Sequence, residues 1–213
     1  MRKTIKSMAV GLAASLLLAA CGGVEAPEER RVTAAQQCDD TLSPTAAHAL
    51  EVVLRTATFD HGAKGGLDRV VAQLTDDHTE GGLRSRSRSM CRPGTPDGAD
   101  RIDIAFGRYD DSDLFGNVRP NGLHPYVMGR EAMAGPKAAY LFVECTSPRL
   151  KGSQQRPARI DGTLRFDGSK LPDTVAVREA NLTVLHSVTL AVVKKLGCEN
   201  NAGLTEKPVF RPR

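Results

Sequence analysis

Three sets of residues in this 213-residue chain have types and spacings that could do chemistry. The first lies in residues 109–137, a run without clear periodicity that holds Tyr109, Asp110, Asp111, Asp113, Phe115, His124, Tyr126 and Arg130. Loops of that length in a compact domain are usually functional or disordered. Aromatic rings offer contact area, and carboxylates with an imidazole offer hydrogen bonds and proton exchange. The run therefore reads as a ligand loop built on Tyr109, Asp110, Asp111, Asp113, His124 and Tyr126. Convergence of Asp110, Asp111 and His124 would make an acid–base centre of the hydrolase kind. The second set is Arg84, Arg86 and Arg88, which alternate with Ser85, Ser87 and Ser89. On a strand the three guanidinium groups share one face and could hold an anion by forked hydrogen bonds. Each set also has a plainer reading, and the plainer one is preferred: a surface loop whose Gly and Pro residues set turns, and a charged edge strand that resists aggregation.

The third set is the cysteines. Apart from Cys21, the chain has Cys38, Cys91, Cys145 and Cys198, spaced 53, 54 and 53 residues apart. Their flanking residues share nothing, so the near-equal spacing is not a repeat. An even number in an exported chain points to two disulfides with three possible connectivities. We expect Cys38–Cys198, closing the ends of the domain, and Cys91–Cys145, joining two strands. No Cys-x-x-Cys occurs, nor any close histidine pair, so neither a redox motif nor a zinc site is indicated. Residues 111–122 lack the oxygen ligand and the glutamate that a calcium loop needs at its fifth and twelfth positions, where Phe115 and Gly122 stand. The hydrolase motifs Gly-x-Ser-x-Gly and Ser-x-x-Lys with its partners are missing, as are the Gly-rich turns of nucleotide sites. No catalytic residue, metal or cofactor is therefore assigned.

The N-terminus determines where these groups act. Arg2, Lys3 and Lys6 precede an apolar run from Met8 to Ala20, the layout of a secretory signal peptide. Thirteen residues are too few to cross a bilayer, which takes about 20. The run ends Leu18-Ala19-Ala20-Cys21, which resembles the lipobox of bacterial lipoproteins. That resemblance implies cleavage before Cys21 and lipidation of its thiol. Two acyl chains on one residue suffice for stable anchoring. Residues 22–37 are rich in Gly, Pro and charge and read as a flexible tether, with an r.m.s. span of roughly 20–24 Å.

The elements that would position the candidate groups follow from periodicity. Ser43-Pro44 caps a helix over residues 44–58, and residues 67–75 form a second, shorter one. Four strands are expected at 84–92, 101–108, 138–145 and 159–166, the third apolar throughout and so central in its sheet. A long helix starts at Pro172-Asp173 and ends at Gly197 after Lys194 and Lys195. Its Asn181-Leu182-Thr183 sequon lies inside the helix and is disregarded. Residues 199–213 read as a lightly held polar tail. The expected fold is α+β: an antiparallel sheet of about four strands with helices on one face and two disulfides. It forms one domain over residues 38–198.

The formal charge of +4 first suggests a polyanionic partner. Three basic residues lie within the first 20, however, which leaves 26 basic against 25 acidic residues beyond them. With no interleaved stacking aromatics, nucleic-acid binding is excluded. Residues 129–145 and 196–201, with 20 Arg against 9 Lys, resemble small lipoproteins of actinobacteria. The resemblance implies a lipid-anchored globular domain and carries over no catalytic residue. We therefore expect an extracytoplasmic, membrane-anchored binding or interaction module with an unidentified ligand or protein partner. A hydrolase using the 109–137 loop is the alternative.

Overall fold

The computed structural model describes residues 31–60, 62, 64–81, 87–118 and 120–211. Two of the described helices, α2 (Gly66–Glu80) and α3 (Val175–Leu196), lie against one face of a six-stranded sheet, and α1 (Pro44–Leu54) packs on α3. Its strands are β1 (Arg88–Cys91), β2 (Arg101–Arg108), β3 (His124–Tyr126), β4 (Glu131–Ala134), β5 (Ala138–Cys145) and β6 (Ala158–Asp167). They run β1-β2-β6-β5-β4-β3 across the sheet, and every neighbouring pair is antiparallel. Alternation decides which side chains meet the helices. Ile102, Ile104 and Phe106 of β2, Ile160 and Leu164 of β6, and Leu141 and Val143 of β5 are all essentially inaccessible and join one core with α3.

Helix α3 is the centre of that core. Thr174 caps it by accepting from the Val177 N–H at 3.3 Å, and Gly197 closes it in the left-handed region (φ 72°) with its N–H on the Lys194 carbonyl. It is packed between the sheet and α1, so it is buried almost all round. Several of the polar residues this buries are hydrogen-bonded: Ser187 donates to the Thr41 carbonyl, Thr189 to Leu185, and Asn181 to Gly135. At Gly162 of β6 the helix comes so close that a Cβ would stand 3.0 Å from Phe106 and 3.1 Å from the Thr189 hydroxyl.

Several expectations are corrected. The sheet has six strands rather than about four, because β3 and β4 lie inside the 109–137 run. The disulfides are Cys38–Cys91 and Cys145–Cys198, with Cα separations of 5.0 and 5.1 Å, and not Cys38–Cys198 with Cys91–Cys145. The expected pairing fails on sheet order. Cys91 sits on edge strand β1 and Cys145 on β5, three strand spacings or about 14 Å apart, beyond the reach of a disulfide. The end of the expected tether is docked: Val32 and Phe59 exchange both backbone hydrogen bonds, and Ala34 and Gln37 are buried. The expected loose tail is docked too. Leu204 is buried, Phe210 meets Tyr126 edge-on at 6.1 Å, and the Val127 N–H donates to the Arg211 carbonyl. The signal peptide, Cys21, Arg84 and Arg86 lie outside the described residues. No helix among the described residues is long and apolar enough to cross a membrane.

Candidate functional site

The face of the sheet turned away from the helices carries the polar half of each strand. Cross-strand register places Asp161 opposite Gly107 on one side and Phe142 on the other, Thr163 opposite Ala105 and Tyr140, and Arg165 opposite Asp103 and Ala138. Ser89 of β1 lies opposite Ala105. These side chains line two joined hollows. An aromatic end of about 250 Å³ is lined by Tyr109, Asp113, Phe115, Tyr140, Phe142 and Asp161. A polar end of about 230 Å³ is lined by Ser89, Arg92, Asp103 and Ala105, and Ser87, Thr163 and Arg165 belong to both. The result is one groove across β1, β2, β6 and β5.

The loop after β2 roofs the aromatic end. Asp110 starts a single 3₁₀ turn, Asp111–Asp113: its carboxylate accepts from the Ser112 N–H at 2.7 Å, and its own N–H donates to Asp113 at 2.9 Å. The turn reverses the chain so that Phe115 meets Tyr140 at 5.3 Å and Phe142 at 6.1 Å, both edge-on. Tyr109 packs edge-on against Phe142 at 5.1 Å, and the Arg159 guanidinium lies 5.9 Å from the Tyr109 ring centre while pairing with Asp111 at 3.1 Å. Buried Glu131 accepts from the Gly116 N–H and ties down the far end of the loop. Tyr109, Met133 and Phe142 are buried without belonging to the main core, so the open face has a small hydrophobic cluster of its own.

The polar groups differ in how they are satisfied. Asp103 accepts from the Ser89 hydroxyl at 2.5 Å and pairs with Arg92 at 3.3 Å. Arg108 points to the other face, where it donates to the Asp77 carbonyl. Asp161 is half-buried at the groove floor. Loss of water and, secondarily, the nearby Asp113 charge raise its pKa from 3.8 to about 6, against the hydrogen bond from Thr163. Gly107 makes room for it, since a Cβ there would stand 3.0 Å from the Asp161 carboxylate and 3.1 Å from the Ser87 hydroxyl. The Tyr109 hydroxyl is buried with no hydrogen-bond partner among the described residues, and burial pushes its pKa well above the usual phenol range.

The residues singled out in the sequence are thus divided. Tyr109 and Asp113 line the groove; Asp110 and Asp111 build the turn above it. His124 and Tyr126 are elsewhere: their cross-strand partners are Ala134 and Ala132, on the helix-bearing face. There His124 meets Asp173 at 3.4 Å and Tyr126 packs into the core. Asp110 and Asp111 are therefore separated from His124 by the sheet itself. Arg88 lies opposite Phe106, on the helix side, so in the described part of that segment the serines, and not the arginine, face the groove. Among the described residues no group of three His, Cys, Asp or Glu side chains is arranged to hold a metal ion. The groove residues not singled out in the sequence, Asp161, Thr163, Arg165, Tyr140 and Phe142, lie on two of the expected strands. The wet half of the β6 alternation signals the first three, and nothing in the apolar run of β5 marks Tyr140 and Phe142 as facing a groove.

No family model matches the chain, and no curated protein or solved structure reaches significant similarity to it.

Proposed function

We propose that this chain is a lipoprotein held at the outer face of the cell membrane through Cys21, and that its domain is a non-catalytic binding module with the open sheet face as its ligand site. The observation that carries the binding role is the groove: four strands converge polar groups on a concave floor, and a pinned loop adds an aromatic wall. Sites for small ligands combine a few convergent polar groups with apolar and aromatic contact area in this way. The anchor rests on the lipobox resemblance at Leu18-Ala19-Ala20-Cys21.

Two measurements test the reading. Labelled fatty acid should be incorporated into the wild-type chain and not into Cys21→Ser; a wild type that takes up no label, or a variant labelled equally, overturns the anchor. A thermal-shift screen of the full chain in detergent micelles, against ions, wall fragments, lipids and small metabolites, should find a class that raises the melting temperature, because a ligand of the native state stabilises it by mass action. The shift should disappear in Tyr140→Ala. No shift with any class, or one that Tyr140→Ala leaves unchanged, overturns the groove as the binding site.

A further inference from the structure

The charges facing the groove are unevenly matched. Asp103 has Ser89 and Arg92, Asp113 accepts from the Asp110 N–H, and Arg159 is committed to Asp111 and the Tyr109 ring. Asp161 and Arg165 remain: among the described residues neither has an ion-pair partner. They stand on the same face of β6, four residues apart with Thr163 between them, so their Cα atoms are about 13 Å apart. Asp161 is half-buried beside Phe142, and Phe115 and Tyr140 complete the corner around it. A carboxylate against aromatic faces is an arrangement that attracts a cationic nitrogen, through both charge and ring quadrupole. Arg165 is exposed at the junction of the two hollows, where its fork suits a carboxylate. Tyr109, a residue only 2% exposed, closes the wall of the same corner with its ring packed edge-on against Phe142.

We propose that the groove takes a short zwitterionic peptide of three or four residues, with its amino terminus against Asp161 in the aromatic corner and its carboxy terminus on Arg165. The inference rests on reading the open face as a ligand site. Length follows from the charge spacing, since an extended chain spans roughly 3.3–3.6 Å per residue and three or four residues cover about 10–14 Å. Ser87 and Thr163, between the two charges, supply hydroxyls for the peptide groups.

The test is calorimetric titration of the full chain, in detergent micelles, with tetra-alanine in four forms: free, N-acetylated, C-amidated and blocked at both ends. Free tetra-alanine should bind. Acetylation should weaken binding by roughly tenfold or more in the wild type and make no difference in Asp161→Asn; amidation should do the same in the wild type and in Arg165→Gln. Absence of binding by free tetra-alanine, or blocking effects that persist unchanged in the matching variants, overturns the inference. Equal binding of all four forms, abolished by Phe115→Ala, overturns the zwitterion alone and leaves the groove as a binding site. Silence here together with silence in the thermal-shift screen overturns both.

Discussion

Asp161→Asn should stabilise the protein, and by an amount set by pH. In the folded chain the Asp161 pKa is raised from 3.8 to about 6 because the carboxylate loses water at the groove floor and lies near the Asp113 charge. Each unit is worth about 1.4 kcal/mol, so the ionised side chain disfavours the native state by about 3 kcal/mol, a ceiling that the half-open groove lowers to about 2. The native state binds the proton more tightly than the unfolded one. Stability tied to this group is therefore fully present below about pH 4, falls as pH rises toward 6, and stays lost above that. The neutral amide, close in shape, escapes the loss. Urea unfolding of wild type and variant at intervals from pH 4 to 8 would measure the difference directly, with titrating groups not coupled to Asp161 cancelling between them. We expect little advantage for the variant at pH 4 and about 2 kcal/mol at pH 7.5. A difference that does not change with pH, or a variant less stable at pH 7.5, would refute the assignment of Asp161 as a desolvated, unpaired carboxylate.

Asp100 should behave in the opposite sense. Ser169 donates to it from both its hydroxyl and its N–H, and Arg55 pairs with it at 2.7 Å, which holds its pKa down to about 2. Its contribution is present above about pH 4 and lost as pH falls toward 2, and Asp100→Asn should cost about 1–2 kcal/mol in neutral unfolding titrations. Peptide mapping without reduction should recover Cys38–Cys91 and Cys145–Cys198. Replacing either pair by Ala should cost about 4 kcal/mol, the loop-closure entropy of a 53-residue separation. Gly162→Ala should cost about 1–3 kcal/mol in thermal unfolding, since its Cβ would crowd Phe106, Thr189 and Leu185 at the closest approach of α3 to the sheet.

Strong periodicity was legible in the sequence and weak periodicity was not. The alternation of Ile102, Ile104 and Phe106 and the apolar run of 138–145 marked β2 and β5 to the residue. Strands β3 and β4 have three and four residues; one carries Pro125 and the other is buried along its whole length, so neither shows a two-residue period. The C-terminal segment reads as polar, yet its few apolar residues, Leu204 and Phe210 among them, are the ones that dock. The groove was hidden for a different reason. Asp161, Tyr140 and Gly107 are far apart in sequence and meet only through cross-strand register, which no single segment records. The loop that looked chemical supplied the roof, and the strands behind it supplied the floor.

The connectivity of the disulfides has a kinetic consequence. Of the four cysteines after Cys21, the first joins the second and the third joins the fourth, so the two closed loops follow one another along the chain without nesting or crossing. If export runs from the N-terminus, the Cys38 thiol meets its proper partner before Cys145 has left the translocation channel. With Cys21 blocked by the lipid proposed above, each correct bridge would join the nearest thiol still free, and vectorial emergence by itself would select against scrambled isomers. The same separateness means that reducing one bridge opens one loop and leaves the other closed.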